Sequence, residues 1–131
     1  MELLFEATKK FEKDLSEFEK KDKEKVLKKL NYYCNYLLSD KNIFYSNVLK
    51  PKIFMLRDDL QQTLYSMRIS VDIRVILTVD EDPLFEQIII TLFRVVRHAQ
   101  LDKAFKSIGE SLYQQLLTNE NLTGENDYGA N

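Results

Sequence analysis

The stretch from Leu64 to His98 limits the possible folds of this chain more than any other. Leu64-Tyr-Ser-Met-Arg-Ile-Ser70 and Ile73-Arg-Val-Ile-Leu-Thr-Val-Asp80 are two β-type runs, with a tight polar break at Ser70 to Asp72. Asp80-Glu-Asp-Pro83 makes a second break, and Gln87-Ile-Ile-Ile-Thr-Leu-Phe-Arg-Val-Val-Arg-His98 is a third run. Runs rich in β-branched and aromatic residues, joined by short turns, read as an antiparallel meander. Side chains alternate across a strand. Tyr65, Met67 and Ile69, with Ile73, Val75, Leu77 and Val79, therefore make one apolar face, and Arg68 and Arg74 fall on the other, more polar face. The third run is apolar on both faces and belongs inside the sheet. Arg68, Arg74, Arg94, Arg97 and the chain's one histidine, His98, lie on or just past these strands. Such a sheet can hold a phosphate or can simply carry a charged outer face, and composition leaves both readings open.

The flanks are helical. Glu2 to Glu6 reads as a short edge strand, and Thr8 stands where a helix N-cap belongs. Phe11, Leu15 and Phe18 recur at helical spacing. Asp22 opens a second helix whose apolar face is Val26, Leu27, Leu30, Tyr33, Cys34, Leu37 and Leu38. So short a link makes the two an antiparallel hairpin. Their many lysines read as a solvated face with Glu–Lys pairs, with RNA binding as the alternative. Ser39 to Gln61 reads as a partly helical loop leading into the sheet, because Pro51 disfavours a helix through Lys50. Lys50, Lys52 and Arg57 could face a ligand from it. Leu101, Ala104, Phe105, Ile108, Leu112, Leu116 and Leu117 mark a closing helix, with Gly109 a weak point in it. The expected fold is α+β: a helix hairpin on a small, mainly antiparallel sheet, then a C-terminal helix. Residues 1–117 form the single domain and 118–131 a flexible polar tail.

A chain of 131 residues can bury a core without metal or disulfide staples. Cys34 is the sole cysteine, so there is no intramolecular disulfide and no thiolate cluster for zinc. No apolar run approaches the roughly 20 residues that span a bilayer, and the N-terminus lacks a basic secretory n-region, so cytoplasm is the expected compartment. The net charge of −2 argues against a strongly basic nucleic-acid binder, but the acids are unevenly placed. Residues 41–106 carry ten Lys and Arg against eight acids, and the segment from Ser107 adds four acids with no base.

Taken in order, strand, helix hairpin, basic loop, meander and C-terminal helix resemble the RelE/ParE superfamily of toxins from type II toxin–antitoxin systems. Phe11-Glu-Lys-Asp-Leu15 is similar to the start of the family's first helix. Leu64-Tyr-Ser-Met-Arg-Ile-Ser-Val-Asp-Ile-Arg-Val-Ile76 is similar to its leucine–aromatic, Arg-Ile, Gly-Asp-aromatic-Arg turn and Val-Ile pattern. Ile89-Thr-Leu-Phe-Arg-Val-Val-Arg-His98 followed by Asp102-Lys-Ala-Phe-Lys106 resembles its last strand, the Gly-His-Arg-like end of that strand and the short acidic-Val-Tyr motif. The resemblance covers residues 1–106. It implies metal-independent cleavage of messenger RNA at the ribosome, without a cofactor, by attack of a ribose 2'-OH on the adjacent phosphate. Such chemistry needs a base, cations on the phosphorane oxygens and an acid for the leaving oxygen. By this resemblance Arg74 stabilises the transition state, Arg68 matches a basic position on the preceding strand, and Arg97 or His98 falls at the basic position after the last strand. The implied partners are an antitoxin protein and ribosome-bound messenger RNA. Two departures stand out: Phe105 where RelE-type enzymes often carry a tyrosine, and Val71 in place of the turn glycine. The missing tyrosine, with the acidic balance of the chain, points to an alternative, a ParE-like or catalytically degenerate member acting by protein binding, with DNA gyrase the target of true ParE proteins. The arginine set favours the first reading.

Overall fold

The computed structural model describes residues 1–55 and 61–130, with side chains as far as 115. Five strands, β1 (Glu2–Ala7), β2 (Leu49–Met55), β3 (Gln61–Arg68), β4 (Ile73–Asp82) and β5 (Gln87–Arg97), form one sheet in the order β1-β5-β4-β3-β2. β1 runs parallel to β5, and the other neighbours are antiparallel. Helices α1 (Lys9–Ser16) and α2 (Lys20–Cys34) follow β1, and α3 (Leu101–Ala130) follows β5. The fold is α+β, with the meander, the N-terminal edge strand and the helix hairpin where the periodicities put them. Of the residues expected to form a polar tail, 118–130 fall on the last part of α3, and Asn131 lies outside the described residues.

The two faces of the sheet carry separate cores. Phe11, Val26, Leu30 and Cys34 of the hairpin pack on Met67, Val75, Leu77, Ile88 and Ile90. On the opposite face α3 lays Ala104, Phe105 and Ile108 over Leu64, Ile76 and Val96. The face carrying Arg68 and Arg74 is therefore half covered. At Gly109 the helix approaches β2 so closely that an added Cβ would stand 2.7 Å from the Phe54 ring, which makes this glycine the point where α3 settles on the edge strand.

β2 differs from expectation. After short helical turns at Tyr36–Ser39, Lys41–Ile43 and Phe44–Val48, the chain becomes an edge strand instead of a loop. Pro51 is compatible with that because an edge strand has one side with no ladder bond to make. Its lysines also fit an edge, where charge discourages pairing with another chain. Arg57 lies outside the described residues. No helix among the described residues is long and apolar enough to cross a membrane.

Cys34 is fully buried, and burial pushes its thiol from an ordinary 9.0 up to about 12. The folded chain then keeps the proton that the unfolded chain releases, so stability is lost as pH rises from about 9 toward 12. Tyr45, also raised to about 12 chiefly by burial, adds to the same trend from pH 10 upward. Unfolding midpoints of Cys34→Ala should fall less steeply over this window than those of the wild type. Equal slopes would remove the thiol from the account.

Candidate functional site: a basic row on the sheet

The row is built from register. Lys50 and Lys52 on β2 pair with Ser66 and Leu64 on β3, and Arg68 of β3 pairs with Arg74 of β4. Leu64 belongs to the core under α3, so Lys50, Lys52, Arg68 and Arg74 all leave the sheet on the α3 side. Directly paired side chains start about 5 Å apart and diagonal ones about 7–8 Å, which places the four cations in one patch spanning three strands. Lys52 also rests its ammonium 5.6 Å from the centroid of the buried Phe105 ring. Lys106, exposed on α3, lines a cleft with Lys52, in which Asp102 and Glu110 also stand.

Within the row the guanidiniums differ. Nη1 of Arg74 donates to the carbonyls of Ser70 at 2.7 Å and of Val71 and Ile73 at 3.2 Å, tying off the β3–β4 turn. Its other two nitrogens have no partner among the described residues. Arg68 is exposed, with no ion pair among the described residues.

Arg97, expected beside them, is on the other side of the sheet. Arg94 pairs with Ile76 and Leu92 with Leu77, so Phe93 is an extra residue, a bulge in β5. One added residue reverses the facing of everything after it. Val95 thus joins the hairpin core and Arg97 points to the hairpin, its guanidinium 4.7 Å from the Phe18 ring centroid. It pairs there with Asp72 at 3.4 Å and Asp22 at 3.8 Å. The expected convergence of three arginines is corrected to two. Arg97 serves as a clamp between β5, the β3–β4 turn and α2.

α1 holds the bulge. The Thr8 hydroxyl, which accepts from the Phe11 amide to cap α1, donates to the carbonyl of Phe93 at 3.0 Å. Asp14 accepts from Arg94 Nε and Nη2 at 2.6 and 3.1 Å and from the Val95 amide at 3.2 Å. That hydrogen bond from Arg94 raises the arginine's pKa further. A strand arginine at this position can pair with an acid or snorkel at the strand end, and the structure shows the first. Nothing in its periodicity pointed to Asp14, because the partnership depends on the bulge.

His98 follows directly in a 3-10 turn, with its amide donating to the Asp72 carbonyl at 2.6 Å. Its ring is exposed at the end of the sheet where the Arg74 guanidinium caps the neighbouring turn. The row offers what a polyanion needs: fixed positive charge and an open approach. No protein-family model matches the chain, and no curated protein matches its sequence.

Proposed function

We propose that this protein is a RelE-like toxin of a type II toxin–antitoxin pair that grips ribosome-bound messenger RNA on the basic row and cleaves it without metal. The observation that carries the reading is the row itself: Lys50, Lys52, Arg68 and Arg74 on three adjacent strands and one face. In this reading Lys50 and Lys52 hold flanking phosphates, and Arg68 with the two uncommitted nitrogens of Arg74 faces the phosphorane oxygens. His98, exposed at that end, is the candidate proton-transfer group in this reading. Arg97 is left out of the chemistry, since its partners are Asp22 and Asp72.

A second reading has its own support. Phe105 is buried under Lys52 and has no hydroxyl, and one nitrogen of Arg74 is spent on the turn. These favour a ParE-like or degenerate member that acts by binding protein, with gyrase as the target. Induced expression should stop incorporation of labelled amino acids within minutes and leave new messenger 5'-ends, and His98→Gln should lessen both. If wild-type induction leaves translation running, the ribonuclease reading is lost. Inhibition of supercoiling by the purified protein would then support the second.

A further inference from the structure

Six residues on and just after α2, namely Lys25, Lys28, Lys29, Tyr32, Tyr33 and Tyr36, recur at spacings of three and four and so share one stripe. Stripes of that period usually form a core; this one lies beside the core and lines two contiguous open clefts of about 790 and 660 Å³. The clefts share Lys25, Lys29 and Tyr33. One end is aromatic: Tyr32 is 60% exposed and meets Tyr33 and Tyr36 edge-on, with centroids 5.3 and 5.9 Å apart. The other end is cationic and reaches Asn47 and Arg68. The Lys29 ammonium donates to the Ile69 carbonyl at 2.6 Å, which fixes α2 against the end of β3 and gives the groove a rigid floor.

The charge is one-sided. Lys25, Lys28, Lys29 and Arg68 face a single lining carboxylate among the described residues, that of Asp72, which Arg97 already engages. The Glu–Lys pairing expected to neutralise these lysines is nearly absent. The described helical pair is Lys20 with Glu24, at 4.0 Å and well exposed. A phosphodiester backbone fits the cations, and the exposed Tyr32 ring, with the half-buried Tyr36 ring beside it, accepts bases in any sequence. An acidic polypeptide fits the cations but leaves the ring faces without purpose.

We infer that the α2 groove binds single-stranded RNA, with bases on Tyr32 and Tyr36 and phosphates on Lys25, Lys28 and Lys29, and that the strand continues past Arg68 onto the basic row. The continuation rests on the function proposed for that row; the groove itself does not. The strand bends around one edge of the molecule, so its cleavable phosphate and its anchoring segment lie on different sides of the sheet. RNA too short to reach α2 would bind on the row alone.

Fluorescence anisotropy with a labelled ten-nucleotide single-stranded RNA and the full chain tests this. Tyr32→Ala should weaken binding roughly fivefold or more, and Tyr32→Phe should restore it, because the ring and not the hydroxyl is used. Lys25→Gln with Lys28→Gln should lower the slope of log affinity against log salt by about 1.4, two phosphates' worth. These side chains are exposed, so the variants keep the fold. Wild-type affinity and slope in both variants would overturn the groove while leaving the row untouched. Displacement of the RNA by polyglutamate, with no dependence on Tyr32, would overturn it in favour of an acidic protein partner. If binding follows Tyr32 and the lysines while induced wild-type protein fails to arrest translation, the groove stands and the toxin reading falls.

Discussion

Asp14→Ala is expected to destabilise the protein by about 3 kcal/mol and lower its melting midpoint by roughly 10 °C. The carboxylate holds three groups at once: two guanidinium nitrogens of Arg94 and the amide of Val95. Its removal leaves a charge that is only 24% exposed without a partner and a bulge amide without an acceptor. Full burial would put the loss at the upper end of about 3–5 kcal/mol, and the partial exposure of both partners moves it down. Asp14→Asn should cost less, since its amide oxygen still accepts from Val95. Thermal unfolding of the two variants measures the difference, and a loss below about 1 kcal/mol for Asp14→Ala would mean that solvent supports the bulge as well as α1 does.

The second large effect is functional. Neutralising Lys50, Lys52 and Arg68 together, each to glutamine, should remove three phosphate contacts and lower the salt slope of single-stranded RNA binding by about 2. The accompanying drop in affinity at low salt is roughly a hundredfold, and translation arrest on induction should vanish with it. All three side chains are exposed, so the melting midpoint should not move. Unchanged RNA affinity in a folded triple variant would leave the row as an ordinary solvated face. The RNA reading of this site would then have no support.

Much of the fold was legible because its signals were local. Thr8 before Phe11, Leu15 and Phe18 marks a capped helix, and Tyr65, Met67, Val75 and Leu77 alternate without interruption. Leu49–Met55 was not legible as a strand, since Pro51 and two lysines argue against the interior of a sheet and say nothing against its edge. The site was legible by half for a single reason. Alternation from Ile88 onward, carried through without a break, puts Arg97 on the face of Arg68 and Arg74. The bulge at Phe93 turns it to the other. No local propensity announces that bulge; it exists because Thr8 and Asp14, some eighty residues earlier in the chain, satisfy the backbone groups it exposes. The lysines of α2 were legible as an exposed face, but the tyrosines that share their stripe were not, since Tyr33 reads equally well as part of the apolar side. Val26, Leu30 and Cys34 form the buried side as their spacing predicts, whereas Leu27 and Leu38, expected on the same face, are exposed.

Because β1 pairs with β5 alone among the described strands, the earliest strand in the chain waits for the latest before its own backbone is satisfied. β2, β3 and β4 meet neighbours close in sequence and can zip together as they emerge. Closure across so long a loop comes late and is slow. A nascent chain would thus hold its cationic strands assembled while its N-terminal segment is still a loose, pairing-competent ribbon. Agents that trap this ribbon would keep the molecule unfinished without touching the surface it works with.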